Sequence, residues 1–564
     1  MAKSQTVSSQ SPLLARLASE HGVEKLATTA WYWAEEQMRL QNWGTFATEC
    51  DKYFDIYKGK HWEQENENFA SRQSWPVVYN ETGNAINAHV AQMLAIKPRH
   101  YHTNIDPNII EQKALNAFLV RATAKDTYNF RRRCFQIGNI YPGAVLKVGM
   151  DMYASPIGLG PGHETLPMPT YTVDEPWRWI IDPGNNGDIS KSRWAIRFST
   201  IAQSMADRMA GREVSDEGKR SCYDVKQKFM SKLVSTTKIR NTALALVDDE
   251  SVLTMEIYFR DVKIGCMDGV KIETDAGWHF MRVIGDYVSY LDLSPYGDKV
   301  GLPISIFTPQ PLPGYLWGMA GPQAAWPVQR DINARRSRAR EIDFWNRGVM
   351  AVYGSGANDA RKKLLSQMGS GVVALQNGIK LDHIRGDKVD QAMYNEIQRT
   401  EGWFQKLFGV PNVLQGYNET GSYSAQQTGM LQQAANTMMA WKNNEYGIAV
   451  QSLGEKEFEM LKYFWAGYDK IALDTGTEMV IISTEILEHS GWGVQVVPED
   501  TYVQLMNAEN QVIMQLFANG IVPPQVALQH ISALSPEEKQ STLQWLQMQQ
   551  AAQAQAQQGG QPAK

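Results

Sequence analysis

The chain has 564 residues, with 55 Lys and Arg against 60 Asp and Glu, and a formal net charge of −5. This balance excludes the strongly basic surface expected of a protein that grips phosphates over its whole face. The 17 Trp, 23 Tyr and 17 Phe residues exclude a disordered chain, and four widely spaced cysteines exclude a disulfide scaffold. Because it has no long apolar run and no signal-peptide core, the sequence predicts a cytosolic protein without a membrane span.

The first half of the chain alternates between helical and strand-like patterns. Residues 1–30 are polar and predict a loosely attached arm. Apolar side chains at helical spacing predict helices over 30–56, 80–96 and 109–138. Pro98 ends the second of these, because proline disfavours helix at the preceding residue. Alternation of apolar and polar residues predicts strands over 144–150, 177–182 and 193–199.

The second half begins with strand signals and then becomes mainly helical. Asp-Gly and Pro-Tyr-Gly-Asp turns separate several predicted strands between 252 and 310, and an irregular Pro/Gly-rich loop follows over 309–321. Further helices are predicted over 326–348, 390–407, 424–468, 501–518 and 525–531. Short strands are predicted over 351–353, 371–376, 478–483 and 493–497. The Gln- and Ala-rich residues 543–564 predict a disordered tail.

No familiar catalytic or cofactor motif occurs. The sequence lacks a phosphate-binding G-x-x-x-x-G-K-[ST] loop, an H-E-x-x-H helix and a G-x-S-x-G turn. His100 and His102 are two residues apart, which on a strand places both on one side, as in some metal sites. No carboxylate or Cys lies near them in the sequence, so two solvated histidines after a helix stop are the favoured interpretation. The sequence therefore assigns no catalytic residue, metal or cofactor.

The segment from Trp326 to Gly348 predicts a long helix with an unusual charge distribution. Pro327 suits the first turn of such a helix. The charged side chains stand around the whole cylinder: Arg330, Arg335, Arg336, Arg338, Arg340 and Arg347, with Asp331, Glu341 and Asp343 among them. Two interpretations stand. The helix is solvated and carries ion pairs within itself, or it packs beside copies of itself through Arg–carboxylate pairs between subunits.

Several other segments carry recognisable signals in a fixed order. Tyr57-Lys58-Gly59-Lys60-His61-Trp62 marks a helix end, and Ile181-Asp182-Pro183 with Arg193-Trp194-Ala195 forms a turn and a strand. Leu302-Pro303-Ile304 and the residues through Gly318 lead into the charged helix, and Phe408–Gly416 with Ser422–Ala425 frames a polar loop. The break Asn519-Gly520-Ile521-Val522-Pro523-Pro524 and the Gln-rich tail follow. In this order, over about 30–540, these segments resemble the portal proteins of tailed double-stranded DNA bacteriophages.

The resemblance implies an α+β fold: a mainly helical, elongated subunit with wing, stem, β-rich clip and helical crown, which assembles into a ring. The implied segments are an N-terminal arm and wing at 1–245, a β-rich region with the clip at 246–322, a stem helix at 323–352, a wing return at 353–408, a tunnel loop at 409–423, a long helix at 424–475, a crown at 476–542 and the Gln-rich tail at 543–564. The best candidate for a first stem helix is the polar stretch 201–245.

The resemblance also implies a function and a set of partners. A homo-oligomeric ring of about twelve copies would sit at one vertex of the capsid, and double-stranded DNA would be packaged and ejected through it. The implied partners are the terminase large subunit, tail or adaptor proteins, and capsid and scaffolding proteins, with the ring in the virion after assembly in the host cytoplasm. A multi-domain cytosolic enzyme whose site has no familiar motif is the alternative.

Two sets of residues take roles under this resemblance, neither of them catalytic. The stem helix and subunit interface would comprise Arg330, Arg335, Arg336, Arg338, Arg340, Glu341 and Asp343. The tunnel loop facing the DNA would comprise Val410, Asn412, Val413, Gln415, Asn418 and Ser422. Without the resemblance, the loop has the composition of an ordinary helix–helix connection.

Overall fold

The chain contains two compact units, each built from segments that are distant in sequence. The computed structural model describes residues 12–64, 76–96, 98–104, 110–152, 166–202, 204, 206–207, 251–265, 270–285, 287–346, 349–353, 380–384, 391–408, 425–466, 468, 470–474, 479–483, 485–488 and 492–498. The first unit comprises Met1–Asp51, His89–Ala320 and Met439–Lys564, and the second comprises Lys52–Ala88 and Gly321–Met438.

The described helices and strands follow in chain order. The helices are α1 Pro12–His21, α2 Val23–Leu40, α3 Trp43–Tyr57, α4 Glu81–Ile96, α5 Ile110–Ala122, α6 Ala124–Ile140, α7 Gly321–Asn346, α8 Gln391–Phe408, α9 Ala425–Trp465 and α10 Glu485–Glu488. The strands are β1 Pro98–Asn104, β2 Ala144–Asp151, β3 Met168–Asp174, β4 Trp179–Ile181, β5 Trp194–Ala202, β6 Ser251–Arg260, β7 Ile264–Gly265, β8 Lys271–Ile272, β9 Trp278–Ile284, β10 Tyr287–Leu293, β11 Ile304–Phe307, β12 Val349–Tyr353, β13 Lys380–Ile384, β14 Lys470–Asp474, β15 Met479–Ser483 and β16 Trp492–Pro498.

The mixture of helices and antiparallel sheets confirms the α+β class. No helix among the described residues is both long and apolar enough to cross a bilayer. The predicted helix over 80–96 and the strand over 144–150 are confirmed to within one residue. The helix predicted over 30–56 is instead two, because Asn42 takes a left-handed backbone conformation with φ of 50° between α2 and α3. The predicted helices over 501–518 and 525–531 and the tail lie outside the described residues.

The N-terminal segment is helical and packed, so the prediction of a loose arm is wrong for residues 12–30. Leu14 and Leu17 of α1, and Leu26 and Trp31 of α2, are buried. Trp31 also donates a hydrogen bond from its indole Nε1 to the carbonyl oxygen of Gly285 at 2.8 Å. These apolar residues recur at helical spacing, and that periodicity outweighs the polar average of the segment.

The largest sheet of the first unit has both faces covered. Its five antiparallel strands run in the order β10-β9-β6-β5-β4, so strands of the predicted β-rich region share one sheet with strands before residue 203. On β6, Ile257 and Phe259 pack in one cluster with Leu26 of α2. Tyr258 points the other way and packs with Val145, which belongs to the three-stranded sheet β11-β2-β3. Alternation along the strand thus fills two apolar layers at once.

A cluster of five charged side chains lies in the same layer as Tyr258. Lys147 Nζ contacts Glu256 Oε2 at 2.6 Å, and the guanidiniums of Arg197 and Arg282 reach the Glu256 carboxylate at 3.3 and 3.4 Å. Arg197 also binds Asp174, at 2.7 Å between Nε and Oδ2. Burial would raise the pKa of Glu256, but its three cationic neighbours hold that pKa well below its usual range.

Two lysines on α9, the buried Lys442 and the half-buried Lys456, affect the pH dependence of stability. Lys442 is 7 % exposed, and its Nζ lies 3.0 Å from Nδ1 of His89. Burial lowers the pKa of Lys442 to about 8, and burial likewise lowers the pKa of Lys456 to about 8. Lys456 donates a hydrogen bond to the carbonyl oxygen of Ile304. Each lysine is therefore charged in the unfolded chain over a pH range where it is neutral in the folded one.

We expect the contribution of Lys442 and Lys456 to the free energy of unfolding to rise between about pH 8 and 10.5. In that range the unfolded state binds a proton at Lys442 that the folded state has released, and each such proton adds at most about 1.4 kcal/mol per pH unit. Lys442→Met should reduce this slope in urea unfolding measured from pH 7.5 to 9.5. The exposed Lys25 provides the control: Lys25→Met should keep the wild-type slope, and an unchanged slope in Lys442→Met would contradict the assignment.

Candidate functional site

The charged helix α7 is longer at its start than the sequence predicts. It begins at Gly321 and has 26 residues, so Pro327 lies inside it and Pro322 occupies the first turn. The prediction that the helix begins at Trp326, with Pro327 in its first turn, is wrong. Proline has no backbone N–H, and residue 327 therefore donates no hydrogen bond to the carbonyl of Gln323. The apolar Gly321-Pro322-Gln323-Ala324-Ala325 run can still form helix because proline is accepted in a first turn.

One side of α7 is a buried row of polar side chains, Gln329, Asn333 and Ser337. These three side chains bind the backbone of the non-helical segment 76–80, which lies just before α4 in the chain. Ser337 Oγ accepts from the backbone N–H of Val77 at 2.9 Å, and Asn333 Oδ1 accepts from that of Tyr79 at 3.1 Å. Four residues of helix rise about 6 Å, which nearly matches two residues of extended chain at about 6.6 Å.

Gln329 continues this row at the start of α4. Its Oε1 accepts hydrogen bonds from the backbone N–H of Thr82 at 2.9 Å and from the Thr82 hydroxyl at 3.0 Å. Its Nε2 donates to the carbonyl oxygen of Tyr79 at 2.5 Å and to Oδ1 of Asn333 at 3.2 Å. Three side chains at i, i+4 and i+8 thus satisfy the backbone of a segment about 250 residues earlier in the chain.

His61 closes the network at its buried end. Its Nε2 lies 2.9 Å from the carbonyl oxygen of Ile56, which can only accept, so Nε2 carries the proton. Its Nδ1 then accepts from Nδ2 of Asn333 at 2.7 Å. Burial lowers the pKa of His61, which agrees with a neutral ring in this position.

The arginines of α7 divide into two groups. Arg335 Nε binds Asp331 Oδ2 at 2.8 Å, and its Nη1 reaches Glu396 of α8 at 3.3 Å. Arg336 binds Glu401 of α8, with Nε at 3.1 Å from Oε1, and its guanidinium stacks 4.1 Å from the ring centroid of Tyr79. These two arginines hold α8 against α7 within one chain.

The remaining predicted interface residues are more exposed. Arg330, Arg338, Arg340 and Asp343 are exposed, and Glu341 is half-buried. Arg340 also lines a cavity of about 330 Å³ between α7 and α8, beside Arg336 and Glu401. The hydrogen bond that Arg335 donates to Asp331 raises the pKa of Arg335, and burial together with the charge of Glu401 raises the pKa of Glu81. The helix therefore carries a positive exposed surface next to a cavity that has both signs of charge.

The buried polar row of α7 was not predicted from the sequence. The i, i+4, i+8 spacing of Gln329, Asn333 and Ser337 was visible in the sequence. Its role could not be predicted, because the partners of these side chains are backbone groups. Every residue has such groups, so the sequence does not indicate which of them are bound.

The second predicted site lies outside the described residues. This holds for the tunnel loop 409–423 and for its Val410, Asn412, Val413, Gln415, Asn418 and Ser422. Most of the stretch 201–245, the candidate for a first stem helix, is outside them as well.

The structure brings a carboxylate to the two histidines that the sequence left without one. His100 and His102 lie on β1, and His100 Nε2 is 2.6 Å from Oε2 of Glu457 on α9. Oε1 of the same carboxylate is 3.5 Å from Nε2 of His102. Burial would raise the pKa of Glu457, but the two imidazoles hold it well below its usual range. The expectation of two solvated histidines is wrong, since His102 and Glu457 are buried.

Among the described residues, His100, His102 and Glu457 form a group whose ligand atoms are close enough together to hold a metal ion. It was missed because Glu457 lies 357 residues from His100. A comparison of the chain with known protein families finds no family that matches, and a comparison with curated proteins finds no match either.

Proposed function

We propose that this chain is a portal-type subunit. About twelve copies form a ring at one vertex of a capsid, and double-stranded DNA is packaged and ejected through it. The ring docks the terminase large subunit during packaging and tail or adaptor proteins afterwards, with capsid and scaffolding proteins around it. The order of sequence signals across about 30–540 suggests this function, and the arrangement of α7 is the observation that supports it best.

A ring requires head-to-tail contacts between unlike surfaces of neighbouring subunits. On α7, Arg335 and Arg336 are engaged with carboxylates of their own chain, and the polar row is engaged with the segment 76–82. Arg338, Arg340 and Asp343 remain exposed. We assign the contact between subunits to this exposed end of the helix, because Arg–carboxylate pairs are directional and fix the register of neighbouring copies.

The overall charge suits passage of DNA more than capture. Each phosphate that a protein neutralises adds salt-dependent affinity, which would slow a sliding duplex. A net charge of −5 per subunit gives the assembled ring a strongly negative total. In this proposal the polar and small apolar residues of 409–423 line the narrowest point of the channel without holding the DNA.

The experiment that tests the proposal is negative-stain microscopy of the purified protein at low salt. We expect rings with an axial hole wider than a B-DNA duplex, which is about 20 Å across. The double variant Arg338→Glu/Arg340→Glu should abolish rings or reduce their yield several-fold, because it places carboxylates against carboxylates. Arg336 is left unchanged, since its partner Glu401 belongs to the same chain.

The control is Lys25→Glu/Arg39→Glu, which makes the same charge change at exposed positions of α2. This control should keep the wild-type yield of rings. A monomer or small dimer of the wild-type protein at every salt concentration would contradict the ring. Rings of equal yield in Arg338→Glu/Arg340→Glu would instead contradict the assignment of the contact to α7.

A further inference from the structure

His100 and His102 are held on one face of β1 by its neighbours. β1 pairs antiparallel with β16, opposite Val496 and Val494 respectively, and residues two apart on a strand point to the same side. The Asn116 side chain then holds the backbone of His102 from the other edge. Its Oδ1 accepts from the His102 N–H at 2.9 Å, and its Nδ2 donates to the His102 carbonyl at 2.7 Å. The strand thus presents two preoriented imidazoles.

A glycine allows α9 to come close enough for its carboxylate to reach them. Gly454 lies one turn before Glu457 on α9, so both residues are on the same side of the helix. A Cβ at position 454 would lie 2.8 Å from Cγ1 of Val494 and 3.0 Å from Cδ2 of His100. No side chain fits at those distances. Because Gly454 has no side chain, α9 can lie close to β1. This short distance between the helix and the strand places Glu457 against the two histidines.

The buried polar atoms of this group are incompletely satisfied. The side chains of Glu457 and His102 are 0 % and 1 % exposed. Within the described part of the chain, Oε1 of Glu457 and both ring nitrogens of His102 have no hydrogen-bond partner. Leaving buried polar atoms in this state destabilises the fold, because their lost contacts with water are not replaced. A hydrogen bond between His100 and Glu457 accounts for their 2.6 Å contact, but it leaves His102 unsatisfied.

A single divalent cation would bind one donor atom from each of the three residues. We propose that His100, His102 and Glu457 form a binding site for a divalent transition-metal ion, with Zn²⁺ as the expected occupant. Two imidazole nitrogens and one carboxylate oxygen are a ligand set that zinc accepts readily. Their donor atoms all lie within 4.8 Å of one another, and tetrahedral zinc sets its ligands about 3.3 Å apart, so small side-chain rotations complete the geometry.

The bound ion would cross-link two parts of the first unit that are distant in sequence. Its ligands come from β1 and from α9, 357 residues apart. His100 keeps 13 % of its side chain exposed and so provides access for the ion from solvent. Any ion that binds the folded chain and not the unfolded one stabilises the fold by mass action. This role is independent of ring assembly and of any passage of DNA.

The test measures zinc on the full-length chain, first stripped with a chelator and then exposed to Zn²⁺ alone. After gel filtration, elemental analysis should find about one zinc per chain, and the melting temperature should rise by a few degrees. Glu457→Gln preserves the size of the side chain and removes its charge. It should bind zinc at least about tenfold more weakly and lose the rise in melting temperature.

The matched control is Glu20→Gln, which alters the exposed His21–Glu20 pair and should bind zinc as the wild type does. The proposal is overturned if the wild type retains no zinc, or if Glu457→Gln retains as much as the wild type. If Glu457→Gln does not fold, zinc-edge X-ray absorption of the wild type decides. Two imidazole ligands at about 2.0–2.1 Å are expected, and a spectrum without imidazole scattering would overturn the site.

Discussion

Glu256→Gln is expected to lower the free energy of unfolding by about 3–5 kcal/mol. Glu256 is 8 % exposed and lies between Lys147, Arg197 and Arg282. Removing its charge leaves three cations in the layer between two sheets, where Asp174 is the remaining carboxylate that contacts one of them. Denaturant unfolding at pH 7, followed by tryptophan fluorescence, measures the loss.

Two comparisons make this prediction sharper. Glu273→Gln removes the same charge from an exposed pair with Lys263 and should leave stability unchanged. Lys147→Met/Glu256→Gln removes one cation together with the carboxylate and should recover part of the loss. Equal stability of Glu256→Gln and the wild type would contradict the view that the cluster depends on this carboxylate.

The stability contributed by the Glu256 carboxylate should also depend on pH in the acid range. The folded-state pKa of Glu256 is held below its ordinary value, so its contribution is complete above about pH 4.3 and is lost as the pH falls through the folded pKa. The stabilities of the wild type and of Glu256→Gln should therefore differ fully at pH 5 and approach each other in stronger acid. A constant difference down to the lowest pH at which both fold would contradict this sign.

Asn333→Leu is expected to cost about 2–4 kcal/mol, because leucine has a similar shape but cannot bind the groups that asparagine binds. The change orphans the backbone N–H of Tyr79 and Nδ1 of His61, both of which bond to Asn333. Hydrogen exchange measures the local effect of the substitution. The backbone amide of Tyr79 should lose protection from exchange by a larger factor than the backbone amides of α8.

The control for this variant is Asn84→Leu, which makes the same substitution at an exposed position of α4 in the same unit. It should change neither the stability nor the exchange of Tyr79 measurably. Retained protection of the Tyr79 amide in Asn333→Leu would contradict the role of the polar row in holding the segment 76–80.

Local periodicity explains which elements the sequence predicted correctly. The helix over 80–96 and the strand over 144–150 were found because their apolar residues repeat every 3.6 or every 2 positions. The same reasoning failed near Pro327, where a weak local rule placed the helix start at Trp326 instead of Gly321. It failed also at residues 12–30. The high average polarity of this segment led to the prediction of a loose arm, although apolar residues recur at helical spacing in both α1 and α2.

The sequence by itself determined the α+β class and the long charged helix, but it left the two histidines as solvated residues after a helix stop. Only the tertiary structure decided what each of these contacts. It brought Glu457 to His100, it brought Glu401 to Arg336, and it placed the backbone of Tyr79 against Asn333. The physical reason is that hydrogen bonds and ion pairs depend on distance in space. A partner hundreds of residues away therefore leaves no periodic mark in the sequence around the residue that it contacts.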